Sequence, residues 1–144
     1  MIAKFILINM PNSKLKHLKE FHGHLGPYAV IGFRMGLLAV EKVGKGKGLK
    51  CIVKTGLTIP LSCIIDGIQF SSSCTLGKGN IKVRNESKAE AEFTKENKKI
   101  KIKLKDKIRE KIDRKMEEGN EEELALQLYR ASDDELFDYS LSTR

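Results

Sequence analysis

The sequence predicts an α+β domain, and three observations carry that expectation. Residues 27–40 are apolar nearly all round, which describes a helix buried on every side. Residues 99–105 alternate lysine with isoleucine or leucine at period two, which describes a strand with one apolar and one lysine face. Helical patterns lead, strand-like runs cluster in the middle, and helical patterns close the chain. One face of the sheet is expected to be buried and the other wet, as in antiparallel or mixed sheets.

Element by element, Ser13 is placed to cap a helix through Leu15, Leu18 and Phe21, spaced on one stripe and ending at a glycine-rich break. Pro27 suits the first turn of the next helix, and Gly32 and Gly36 lie on one face of it, where another backbone can approach closely. The Gly-Lys-Gly-Lys-Gly run at 44–48 lacks Walker spacing, so it reads as a mobile turn rather than a phosphate cradle. Strands are expected at 49–58, 81–85, 88–94 and 99–105, with Pro60 stopping the first. Ser62 is a candidate cap for a helix over 63–70, and residues 71–73 and 77–80 mark irregular backbone. Ile108, Ile112 and Met116 form a helical stripe ending at Gly119, and Asn120 opens a helix over 121–130. Ser132 with Glu135 resembles a capping box for a final short helix. With no internal repeat or linker, residues 1–144 are expected to form a single domain.

The bulk numbers bound the class. A chain of 144 residues buries a core without staples. Cys51, Cys63 and Cys74 are odd in number, and the apolar run from Ile2 to Met10 is short and interrupted by Lys4. The expectation is a reduced, cytoplasmic protein without a leader, and with no apolar stretch near the roughly 18 residues of a membrane span. The net charge of +8 divides unevenly: residues 117–144 carry nine acids and two bases, and the preceding residues ten acids and 25 bases, so −7 stands against +15. A basic body of this kind steers polyanions or anionic cofactors, while a Lys- and Glu-rich composition equally suits ion-pair networks.

The chemistry concentrates at Phe21-His22-Gly23-His24-Leu25-Gly26-Pro27-Tyr28. In a continuous helix His22 and His24 would diverge by roughly 200°, whereas in extended or irregular backbone they share a side and can grip one ion. Gly23, Gly26 and Pro27 favour the break. The alternative is a helix C-cap whose histidines contact the last carbonyls. Cys63, Asp66 and Cys74 add sulfur and carboxylate groups of the kind that join imidazole in zinc sites. Cys63 and Asp66 share a helix face, and the thiolate of Cys63 is expected to gain from the helix N-terminus. Cys74 joins them only if the helix ends and the chain turns back, since eleven helical residues span about 16 Å. Otherwise Cys51 and Cys74 are small buried hydrophobes.

The blocks at 21–28, 32–36, 62–69 and 74–80, in this order and spacing, resemble the core domain of the FmdE family, the E subunits of formylmethanofuran dehydrogenase and their relatives. The resemblance is strongest over 14–108, leaving 109–144 as a helical C-terminal extension. It implies helices packed on a mixed four-stranded sheet, similar to the catalytic domain of glyceraldehyde-3-phosphate dehydrogenase. It also implies a cleft, able to hold a divalent transition metal such as zinc, to which His22, His24, Cys63, Asp66 and Cys74 contribute polar groups. Many relatives have cysteine where this chain has Gly26, and no cysteine follows Cys74, so the zinc ribbon of some relatives has no counterpart here.

The expected function is a metal-binding protein of this kind, either an accessory subunit of an oxidoreductase complex or a small enzyme in one-carbon or redox metabolism such as methanogenesis. The candidate metal ligands are His22, His24, Cys63 and Cys74. Cys63, Asp66 and His24 are the candidate catalytic groups: Cys63 as ligand or nucleophile, Asp66 to orient a histidine or move a proton. Gly77, Lys78 and Gly79 either present N–H groups and charge to an anionic substrate portion or form an ordinary strand-leading turn. An alternative function is a nucleic-acid module built on Lys95, Lys98, Lys99, Lys101, Lys103, Lys105 and Lys107. That stripe lacks aromatic residues for base stacking, so no specific nucleic-acid partner is expected. A structural oligomer, most simply a homodimer, is the third reading and is compatible with the first.

Overall fold

The computed structural model describes residues 12–143; the run from Ile2 to Met10 lies outside them. Six helices and five strands follow in the order α1 (Asn12–His22), α2 (Pro27–Val43), β1 (Lys50–Val53), α3 (Cys63–Ser72), a 3-10 turn (Leu76–Lys78), β2 (Ile81–Val83), β3 (Glu90–Lys95), β4 (Lys98–Leu104), α4 (Asp106–Glu117), α5 (Glu121–Arg130), α6 (Asp133–Leu136) and β5 (Phe137–Thr143). The sheet runs β2-β1-β3-β4-β5, with β1 and β2 parallel and every other pair antiparallel. The α+β fold with a mixed sheet is as expected. The sheet has five strands rather than four, because the final helix stops after one turn and the chain then runs extended along β4, Phe137 opposite Leu104 and Leu141 opposite Ile100. The capping box is real: Ser132 Oγ accepts from the Glu135 N–H at 3.2 Å.

Period two sorts the sheet faces. Cys51, Val53, Ala91, Phe93, Ile100, Ile102 and Leu104 point into the core, and Lys99, Lys101 and Lys103 point to the open side. Among those lysines lie carboxylates: Glu92 meets Lys54 at 3.2 Å and Lys99 at 3.8 Å. Burial alone would raise the Glu92 carboxyl, but Lys54, with Lys99 and Lys101, holds it below the usual range.

On the core side α2 is the central helix, buried along most of its length. It crosses α3 backbone against backbone. A methyl group on Gly32 would sit 1.9 Å from the Ile64 carbonyl oxygen, and one on Gly67 would sit 2.0 Å from the Ala29 carbonyl oxygen. This crossing fixes where the first turn of α3 stands relative to the end of α1. Arg34, 1% exposed, donates to the Leu128 and Tyr129 carbonyls at the end of α5 and to Asp133 at 3.0 Å, tying the C-terminal helices to α2. Among the described residues no helix is long and apolar enough to cross a membrane.

Two expected caps differ. Ser13 falls inside α1 rather than before it. Ser62 adopts helical backbone without a side-chain cap, because the Cys63, Ile64 and Ile65 N–H groups already donate to the Pro60, Leu61 and Ser62 carbonyls in a tight lead-in turn.

Candidate functional site

The break at residues 23–26 is present and builds one side of the site. Gly23, at φ +100°, ends α1 with its N–H on the Lys19 carbonyl, and Gly26 is extended before Pro27 opens α2. His22 is therefore the last residue of α1, and its imidazole turns across to α3 instead of capping its own helix. Nδ1 of His22 lies 2.7 Å from Oδ2 of Asp66 in the first turn of α3. His24 follows on irregular backbone, its ring centroid 4.7 Å from that of His22.

The other His22 nitrogen is the notable atom. The His22 side chain is only 8% exposed, and Nε2 is buried without a hydrogen-bond partner. With Nδ1–H donating to the Asp66 carboxylate, Nε2 presents a lone pair, the arrangement of a histidine ligand oriented by a carboxylate. An orphaned buried nitrogen is costly unless something occupies the space in front of it.

Cys63 stands one turn before Asp66 and is half-buried. Burial pushes its thiol up, and the charges of Asp66 and Glu121 push it further. The thiolate expected at the helix N-terminus is therefore disfavoured, by desolvation first and then by the two carboxylates. Glu121, at the start of α5, is the part of this site that sequence reasoning missed. Lys19 of α1 meets the neighbouring Glu122 at 3.5 Å in an exposed ion pair. No local pattern links residue 121 to residue 63, so only the fold reveals this neighbour.

Cys74 does not join this group. Helix α3 continues unbroken to Ser72 and the chain reverses at Ser73, φ 63°, so about 14 Å of helix separates the two cysteines. Cys74 is buried, and its thiol donates to the Leu49 carbonyl at 3.7 Å beneath β1, beside Cys51. Gly77, Lys78 and Gly79 stand at that same far end. The Lys78 and Gly79 N–H groups already donate to the Thr75 and Leu76 carbonyls, so they are closed to an anion and the stretch is a turn leading into β2.

Gly26 belongs to the site's geometry. A Cβ there would meet Cε1 of the His24 ring at 3.0 Å, so any side chain at this position would press on His24. Among the described residues no three His, Cys, Asp or Glu side chains are gathered as a finished metal cage. The donor that fits an ion is His22 Nε2; the His24 ring lies next to the His22 ring, and Cys63 stands on α3 one turn before Asp66. Phe21, Phe70 and Phe33 form a series of tilted ring contacts at 5.9 Å spacings that joins α1, α3 and α2.

Comparison with known proteins agrees with this architecture. A solved tungsten formylmethanofuran dehydrogenase FmdE-like protein from Syntrophus aciditrophicus superposes with a TM-score of 0.68, at 16% identity, over 96% of this chain and 75% of that one. A probable S-adenosyl-L-methionine-binding protein of Archaeoglobus fulgidus is 36% identical over 83 residues, which take in 49% of this chain and 21% of that protein. The match thus spans about a fifth of the relative's length. The family model described as "FmdE, Molybdenum formylmethanofuran dehydrogenase operon" matches residues 21–138, from the His-Gly-His segment into β5. The chain belongs to the FmdE family.

Proposed function

We propose that this FmdE-family chain binds a divalent transition metal, zinc being the expected ion, at the His22 imidazole. Its role on this reading is that of an accessory subunit or small enzyme in one-carbon or related redox metabolism. The observation that carries the reading is the buried, unpartnered Nε2 of His22, with Nδ1 held by Asp66. His24 is exposed, with its ring 4.7 Å from that of His22, and Cys63 offers a thiol whose proton a cation would displace. Imidazole with sulfur suits zinc, and two or three protein donors leave positions open for water or substrate.

When bound, such an ion polarises a carbonyl or activates water. The chain's own residues do the rest. Asp66 fixes the His22 ring and its tautomer, and it is the nearest acceptor for the Nδ1 proton. Burial and the Asp66 and Glu121 charges favour the thiol form of Cys63.

The test is metal stoichiometry of untagged protein dialysed against zinc. The wild type is expected to hold one ion per chain and His22→Gln none. Asp66→Asn should bind about 10–100-fold more weakly, and Cys74→Ser should be unchanged. Equal occupancy in wild type and His22→Gln contradicts the proposal. The name of the Archaeoglobus relative makes S-adenosyl-L-methionine the small molecule to titrate into the same samples.

A further inference from the structure

We propose that β5 is a self-association strand, by which two copies of the chain pair edge to edge and join their sheets about a twofold axis at Ser140. β5 stands at the edge of the sheet with β4 as its partner, and its seven residues carry one charge, Asp138, and no proline or lysine. The opposite edge is blunted in the usual way, since β2 is three residues long with Lys82 at its centre. An edge left long and nearly uncharged invites another strand.

The ladder shows which groups face outward. The Lys105 N–H donates to the Leu136 carbonyl at 2.9 Å, continuing the register that sets Leu104 opposite Phe137. Bonded pairs alternate in an antiparallel ladder, so Asp138, Ser140 and Ser142 turn their backbone groups to β4. Phe137, Tyr139, Leu141 and Thr143 turn theirs to the open edge. Tyr139 and Leu141 also lie on the core face, opposite Ile102 and Ile100, yet they are 38% and 51% exposed because the helical layer does not reach over them.

A second copy of this strand is the occupant that the pattern fits. Antiparallel pairing with full overlap matches outward-facing residues with outward-facing residues. It sets Tyr139 against Leu141 of the second copy on the same face, covering both apolar side chains. Asp138 comes opposite Ser142, so like charges do not meet. The contact is isologous and closes at two copies.

Sedimentation velocity of the full chain from micromolar to near-millimolar concentration tests this. The wild type is expected to rise to twice the single-chain mass. Leu141→Lys, at a half-exposed position, should stay at single-chain mass with an unchanged melting curve. Ser140→Cys should form a disulfide dimer on mild oxidation where the wild type does not, because residues on the axis face each other at about 4.5–5.5 Å. Single-chain mass for the wild type throughout, or a dimer that Leu141→Lys leaves intact, overturns the proposal. Neither result bears on the His22 site.

Discussion

A carboxylate that takes one imidazole nitrogen decides what the other nitrogen can do. At His22 the residues were legible in the sequence, but their pairing was not: His-Gly-His marked the break, while the partner on Asp66 depends on how α1 and α3 meet in space. Cys63 shows the opposite failure. Its place at a helix start suggested an activated thiol, and the local rule lost to burial and two carboxylates. A raised thiol leaves less thiolate at any pH below its midpoint. In metal-free protein the pH midpoint for alkylation of Cys63 is therefore expected above that of an ordinary cysteine. Asp66→Asn removes a negative charge, so it should lower that midpoint and speed the reaction at neutral pH. Iodoacetamide rates against pH, read by peptide mass, check both, and a wild-type midpoint below the ordinary value contradicts this account.

At the scale of elements, the glycines of α2 made the close crossing legible before its partner was known. Gly32 faces the Ile64 backbone, and α3 answers with Gly67 against Ala29. Backbone cannot yield as a side chain end can, so Gly32→Ala should cost about 1–3 kcal/mol or more in denaturant unfolding. Gly77→Ala, where a new Cβ meets nothing within 4 Å, is the control and should be near neutral. A Gly32→Ala variant as stable as the control would mean that the helices part without penalty. β5 escaped because the capping box at Ser132 pointed to a helix. The box is genuine, but alternation of Phe137, Tyr139 and Leu141 takes over after one turn. Where a start signal and a period conflict, the period governed what followed.

For the whole molecule, composition and element order carried the α+β class, since each strand and helix had its own period. The site was only half legible, because its two halves come from helices brought together by the Gly32–Gly67 crossing, and its rim from α5, which Arg34 anchors from the protein interior. Cys74 illustrates the limit: the residue type suited a ligand, but ten residues of uninterrupted α3 carried it to the far end. The account rests on His22 presenting a bare Nε2 to the site. Long-range proton–nitrogen NMR of histidine-labelled protein measures this directly, by reporting the His22 tautomer before and after zinc is added. The expected spectrum shows the proton on Nδ1, with the Nε2 resonance shifting on zinc binding. A proton on Nε2, or a His22 signal unmoved at saturating zinc, would contradict it.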